Sequence, residues 1–352
     1  DNAGNESTCS QLIIVNDETS PIFTVIPEDL TVECDGSGNG QALENWLANV
    51  AATDICGEVE IINNFEGLSN LCGATGTATV TWTATDDCGN TTTTSATFTI
   101  VDETAPVFTF VPADRTVECS GIHAIPVGAP TATDVCSEEV TITYNGETRI
   151  DGDCTDSYTL TRTWTATDEC GNSTEASQVI TVVDTKSPIM VIPASNLTVE
   201  CDGSGNDEAL NAWLISNGGA SAQDNCGDVH WSNNFSGLTN GCGATGSATV
   251  IFTATDDCGN SKTTSATFTI VDETAPVFTT IPEDLTVECD GSGNGQALEN
   301  WLANVAATDV CGEVEITNNF EGLSNLCGAT GTATVTWTAT DDCGNTTTTS
   351  AT

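Results

Sequence analysis

The chain repeats itself. Asp17, Asp102, Asp184 and Asp272 open equivalent stretches at intervals of 85, 82 and 88 residues. Each stretch carries TATDDCGN or TATDECGN, at 83–90, 165–172, 253–260 and 338–345. Linkers follow that read VDETAP at 101–106 and 271–276 and VVDTKSP at 182–188. A longer period of three stretches lies above them. Residues 17–97 and 272–352 differ only at Ser20/Ala275, Ile22/Val277, Val25/Thr280, Ile55/Val310 and Ile62/Thr317. Periodicity of this kind marks an array of small units. The predicted organisation is a C-terminal strand of a preceding repeat at 1–16, repeat 1 at 17–101, repeat 2 at 102–183, repeat 3 at 184–271 and a truncated repeat 4 at 272–352. Gly4-Asn5 aligns with Gly89-Asn90, and Thr352 with Thr97. The chain reads as a window on a longer array. The other reading is that the first strand of one molecule completes the last repeat of another, as in donor-strand polymers.

Charge limits the partners. Asp and Glu number 51 against five Lys and Arg, a net charge of -46. Direct attraction to nucleic acid or an anionic membrane is excluded, and so much self-repulsion calls for a neutralising partner. No apolar run is long enough to span a bilayer. The regular Val, Ile, Thr, Trp and Phe patterns argue against disorder.

Within a repeat the pattern is β. In TATVTWTAT, 77–85, Ala78, Val80, Trp82 and Ala84 alternate with threonines, which is strict period two. SATFTIV, 95–101, repeats it, with Gly89-Asn90 as the turn between. Shorter runs at Leu30–Cys34 and Val59–Asn63 complete a small antiparallel sandwich. In repeats 1, 3 and 4 an insertion such as GNGQALENWLANV places Leu43, Trp46, Leu47 and Val50 at helical spacing and predicts one short helix. Repeat 2 has GIHAIPVGAP instead, whose prolines forbid one.

DETAPVF, TVEC, ATDxC and TWTATDDCGN with a closing FTIVD strand resemble the hyalin-type (HYR) repeat, an immunoglobulin-like sandwich of extracellular proteins. The motifs recur in every repeat. Acidic, threonine-rich, cysteine-paired versions in long arrays are similar to giant surface proteins of gliding and predatory Bacteroidota, the gliding adhesins and grappling-hook filaments exported by the type IX system. The resemblance implies an all-β chain of tandem immunoglobulin-like domains in an elongated rod, with a short helix inserted in domains 1, 3 and 4. It implies a cell-surface or extracellular location and a structural role in a filament or adhesin stalk. A carbohydrate- or surface-recognising module is the alternative.

In such a sandwich the linker, the first loop and the TATDDCGN loop meet at the leading end of each domain. Acids distant in sequence then converge, and a hard cation with oxygen ligands, calcium, suits them. The expected ligands are Asp17, Glu18, Asp54, Asp86 and Asp87 at the first junction. At the second they are Asp102, Glu103, Asp134, Asp168 and Glu169. The third offers Asp184, Asp224, Asp256 and Asp257, and is expected to bind most weakly because Thr185-Lys186 replaces Glu-Thr. The fourth offers Asp272, Glu273, Asp309, Asp341 and Asp342. Solvated acidic loops are the plain alternative.

Seventeen cysteines imply an oxidising compartment. Four per repeat allow three pairings. The sandwich places the second and fourth at the leading end and the first and third at the trailing end. The expected bonds are therefore Cys34–Cys72 with Cys56–Cys88, Cys119–Cys154 with Cys136–Cys170, Cys201–Cys242 with Cys226–Cys258, and Cys289–Cys327 with Cys311–Cys343. Cys9 is left over, its partner expected upstream.

No catalytic motif stands out, and the two histidines, His123 and His230, occupy unrelated places, so no enzyme is expected. DGSGNG at 35–40 lacks the lysine of a phosphate loop and reads as a plain loop. The expected partners are further repeats of the same chain. The outward threonine faces also admit lateral self-association into a homo-oligomeric filament; an ice-binding face and simple strand preference are the other readings.

Overall fold

The computed structural model describes residues 2–328 and 330–352. The chain is all-β, built of tandem sandwich-like domains with few short helices. It divides into two compact units. One runs to Val117 and takes in His123–Ile150 and Thr159–Thr181; the other comprises Glu118–Ile122, Asp151–Tyr158 and Val182–Thr352.

Repeat 1 shows the plan. Gly76–Asp86 pairs antiparallel with Thr91–Val101 around the Gly89-Asn90 turn, and Val59–Asn63 flanks the first of them. Leu30–Glu33 lies on the other side, parallel to Phe98–Val101. A second, two-stranded sheet joins Ile22–Val25 to Ala51–Thr53. The sandwich is thus not wholly antiparallel. The chain crosses between sheets before Leu30, so this short strand arrives in the direction of the last one. Repeat 3 has the same pairings, with Leu197–Glu200 parallel to Phe268–Val271. In repeat 2 the four-stranded sheet has the equivalent order.

Alternation delivers the core. Val80, Trp82, Ala84, Phe98 and Ile100 are buried, while Thr79 and Thr97 face out and share a hydroxyl hydrogen bond of 3.1 Å. The helix Gly40–Ala48 closes the sandwich, with the Trp46 ring 5.0 Å from that of Trp82 and its indole N–H donating to the Glu28 carbonyl. Repeats 3 and 4 carry the matching helices Asp207–Ile215 and Gly295–Ala303. Repeat 2 has only a 3-10 turn, Cys119–Ala124, ahead of Pro126. There Arg162 occupies the place of Val80. It is buried, and its guanidinium donates to Glu147 at 3.1 Å and to the Pro126 carbonyl at 2.8 Å.

The cysteines overturn the expected pairing. Six disulfides form among the described residues: Cys34–Cys136, Cys72–Cys170, Cys119–Cys226, Cys154–Cys258, Cys201–Cys311 and Cys242–Cys343. Each joins the first or third cysteine of one repeat to the second or fourth of the next. None of Cys34–Cys72, Cys119–Cys154, Cys136–Cys170, Cys201–Cys242 or Cys226–Cys258 exists, and Cys56, Cys88 and Cys327 are exposed thiols. Cys311–Cys343 fails likewise, since both are bonded to repeat 3, and Cys289–Cys327 fails because Cys327 is a thiol. Cysteines of facing repeats come within bonding reach, at Cα separations of 5.0 to 6.0 Å, so each bond crosses a repeat boundary.

Candidate functional site: the repeat junctions

The acidic octapeptide is first a turn. In TATDDCGN one oxygen of Asp86 accepts from the amides of Cys88 and Asn90, both at 2.9 Å, and the other from the Asn90 side chain, also at 2.9 Å. Asp168, Asp256 and Asp341 make the same three bonds. The asparagine amide donates onward to the backbone carbonyl of the preceding linker aspartate: Asn90 to Asp17, Asn172 to Asp102, Asn260 to Asp184 and Asn345 to Asp272. One side chain therefore ties each linker to the long hairpin.

The linker aspartate then meets the first loop. Carboxylate oxygens of Asp17 and Asp54, of Asp102 and Asp134, and of Asp272 and Asp309 lie within 4.8 Å of each other, each beside a cysteine sulfur. At the third junction Asp184, Asp224 and Asp256 form a group of three carboxylates within that distance. The junction expected to be poorest in ligands thus holds the densest trio among the described residues, because counting acids along the chain ignores which ones turn inward. Asp134 spends one oxygen on the amides of Cys136 and Ser137. Asp102, 8% exposed, leaves its Oδ2 buried with no partner, and so does Asp224. Burial first, then the charges of Asp134 and Asp168, push the Asp102 carboxyl above its ordinary range. Asp184 and Asp272 are raised in the same way, by burial and then by their neighbours Asp224 with Asp256 and Asp309 with Asp341.

The second acid of the octapeptide points elsewhere. Asp87 accepts from the Glu58 amide, Asp342 from the Glu313 amide, and Asp257 pairs with His230 at 2.9 Å. Glu169 accepts from Gly73 of the preceding repeat at 3.0 Å. Glu18, Glu103 and Glu273 are exposed. These seven expected ligands lie outside the described carboxylate groups.

Two features that sequence reasoning passed over also build the junction. The glutamate of TVEC grips the following linker: Glu33 accepts from the Glu103 amide at 2.9 Å and the Thr104 hydroxyl at 2.7 Å, and Glu200 repeats this on Glu273 and Thr274. Those bonds, the threonine's foremost, hold the Glu33 carboxyl below its ordinary range. The loop DGSGNG is the other. Asp35 ties it through the amides of Ser37 and Asn39. This leaves Gly36, at φ +73°, against Val135 of the next repeat, where a Cβ would stand 2.7 Å from the Val135 carbonyl. Gly203 meets Val310 in the same manner. The signal was available in the sequence: DGSGN adjoins a cysteine in each of repeats 1, 3 and 4.

Residues 108–182, within repeat 2, match the family described as HYR-like domain with 4 cysteines. No curated protein matches the chain. Among solved structures the chain is similar to the Protocadherin GammaB4 extracellular domain, at 14% identity and a TM-score of 0.30 over 97% of this chain and 68% of that one. It is similar to Drosophila N-cadherin EC1-4 at 10% identity and a TM-score of 0.21, over 93% of this chain and 98% of that one. It is also similar to the human Desmocollin-1 ectodomain, at 10% identity and a TM-score of 0.19, over 78% and 64%.

Proposed function

We propose that this chain is a structural segment of a long extracellular filament or adhesin stalk, a rod whose joints are fixed by covalent staples and by calcium. The domain boundaries proposed from the sequence repeats, at 17, 102, 184 and 272, place each joint at an acidic linker. Cysteines bonded six times over belong to an oxidising compartment outside the cytoplasm. Export by the type IX route of a gliding or predatory bacterium is the reading that the acidic, threonine-rich repeats favour, with further repeats of the same chain as immediate partners. Sideways association through the threonine faces would keep acid away from acid.

The observation that carries calcium is the buried, partnerless Oδ2 of Asp102, whose carboxylate lies within 4.8 Å of that of Asp134 and feels the charge of Asp168. An unpaired buried carboxylate is costly, and no cationic side chain is hydrogen-bonded to it. The donor set fits calcium, which takes six to eight oxygens and tolerates irregular geometry. The sulfurs beside it at the second junction are already in a disulfide. Asp102 and Asp134 would hold the ion, with Asp168 bracing the turn; at the third junction Asp184, Asp224 and Asp256 would do so. Calorimetric titration is expected to show calcium sites that weaken at least tenfold in D102N and D184N, and small-angle scattering a chain that shortens or bends on chelation. Scattering unchanged by chelation, with no heat of binding, would remove calcium from the account.

A further inference from the structure

The long strand Gly246–Asp256 of repeat 3 has one open place on an otherwise covered edge. Val229–Asn233 pairs with it only over 252–256. Beyond that point the chain arches away and touches the edge twice. At Ile251 the strand amide donates to Asn234 Oδ1 at 2.7 Å, and the Asn234 amide donates back to the Ile251 carbonyl. At Ser247 the strand amide donates to the Thr239 hydroxyl at 3.1 Å, and the Thr239 amide donates to the Ser247 carbonyl at 2.8 Å. Backbone groups alternate sides along a strand, so Thr249, midway between these two pins, turns its N–H and C=O to the same edge. Among the described residues no strand stands opposite it there. Its hydroxyl is engaged on the outer face, 2.9 Å from that of Thr267.

The arch keeps this stretch of edge uncovered. It bows at Gly237, φ +130°, while Phe235 and Leu238 hold its two sides against the core of repeat 3. Between arch and strand lies a cavity of about 270 Å³, whose lining includes Asn234, Phe235, Ser236, Ser247 and Thr249. Repeat 1 is built to the same plan. There the Thr81 amide donates to Asn64 Oδ1 at 2.8 Å, the Thr77 amide donates to the Ser69 hydroxyl at 3.0 Å, and Gly67 turns the arch at φ +142°. Glu66 stands where repeat 3 has Ser236, as does Glu321 in repeat 4. Repeat 2 has no such gap, because Thr141–Asp151 runs beside its long strand as one unbroken strand of eleven residues. In a chain with 51 acids, the cavity of repeat 3 is lined without a charge.

We propose that this cavity binds a neutral glycan, gripping a vicinal diol of one hexose on the backbone of Thr249. The N and O of an extended residue lie side by side, spaced much as two neighbouring equatorial hydroxyls of a pyranose ring. One hydroxyl accepts from the Thr249 N–H and the other donates to its C=O, since a hydroxyl does either. A trans amide cannot do both, because its own N–H and C=O point opposite ways. A peptide strand laid along the edge would collide with the pins at Asn234 and Thr239. A sugar acid meets the repulsion of the whole chain. Asn234 gives its oxygen to Ile251 and keeps its NH2 to donate to a further sugar oxygen. Phe235 adds an apolar wall for the ring C–H groups. A few placed polar groups beside an aromatic are the usual make-up of such a site. The stalk would then hold neutral polysaccharide along its side, in addition to its structural role.

The test is an amide NMR titration of the 352-residue chain in calcium, with methyl β-glucoside and cellohexaose as probes. Both are expected to shift the Thr249 amide and the Asn234 side-chain NH2 saturably. Cyclohexanol, a ring of the same size with one hydroxyl, should leave them in place. N234D keeps an oxygen for the Ile251 amide and loses the NH2, so it should weaken cellohexaose binding at least fivefold with the Ile251 resonance unmoved. T249P removes an N–H that no strand uses, a place where an edge tolerates proline, and should abolish binding. If T249P does not fold, N234D decides alone. A Thr249 amide that neither sugar moves, an equal response to cyclohexanol, or undiminished binding by N234D would each overturn the proposal.

Discussion

Gly73 takes φ +52° and sits against the Cys136 carbonyl, to which Ala74 donates at 2.8 Å. A methyl group there meets backbone, which does not yield, and the left-handed conformation penalises any Cβ. G73A is expected to lower the stability of the first staple region by about 1–3 kcal/mol, read as faster amide exchange at Ala74 with the core of repeat 1 unchanged. Glu33 gives a second expectation, in pH. Its folded carboxyl is depressed, so the grip on Glu103 and Thr104 is fully present above the ordinary glutamate value of 4.5 and is lost as pH falls through the depressed one. The exchange protection of the Glu103 amide should fall in that acidic window, and in E33Q it should be low and flat with pH. Such residues were hard to find in the sequence because their partners lie some 70 residues away. The linker acids were legible because like charges recurring at one place stand out. Which of two adjacent acids turns inward was not, since the folded loop alone decides that Asp86 meets Cys88 and Asn90 while Asp87 meets the Glu58 amide.

At the scale of elements the period-two strands and the short helix were plain in the sequence, because each buries a stripe of fixed spacing. The strands Ile22–Val25 and Ala51–Thr53 were missed; at four and three residues they show no period. Repeat 2 teaches a different lesson. Without a helix to cover its sheet, it fills the gap with Arg162, whose charge is matched by Glu147 and whose remaining N–H groups find the carbonyls of the proline segment. R162V restores the residue of repeat 1 but takes the donor from the Glu147 carboxylate and the Pro126 carbonyl, both on exposed residues. A loss of about 1–3 kcal/mol is expected in chemical denaturation of repeat 2, with repeat 3 unaffected. R162K, one point charge in place of a planar fork, should recover less than half of it.

For the whole molecule, the error in the disulfides is the instructive one. The sequence placed the right cysteines at the right ends of each sandwich, and the mistake was to assume that a repeat with four cysteines satisfies itself. An even count per repeat is equally consistent with every bond crossing a boundary. Crossing bonds close loops of 98 to 110 residues, each worth about 4–5 kcal/mol in the chain-entropy picture. Limited proteolysis followed by gels with and without reductant tests the connectivity: a single cut inside repeat 2 should leave one full-length band until the disulfides are reduced.

The same bonds alternate along repeat 2. The linker at Asp102, then Cys136 and Cys170, tie it backward, while Cys119, Cys154 and the exit at Val183 tie it forward. A pull along the chain is therefore shared among five short backbone segments, none longer than about 18 residues or about 60 Å when drawn straight. An unfolded repeat could not pay out its whole length like an uncoiling rope. It would open like one mesh of a net and stop.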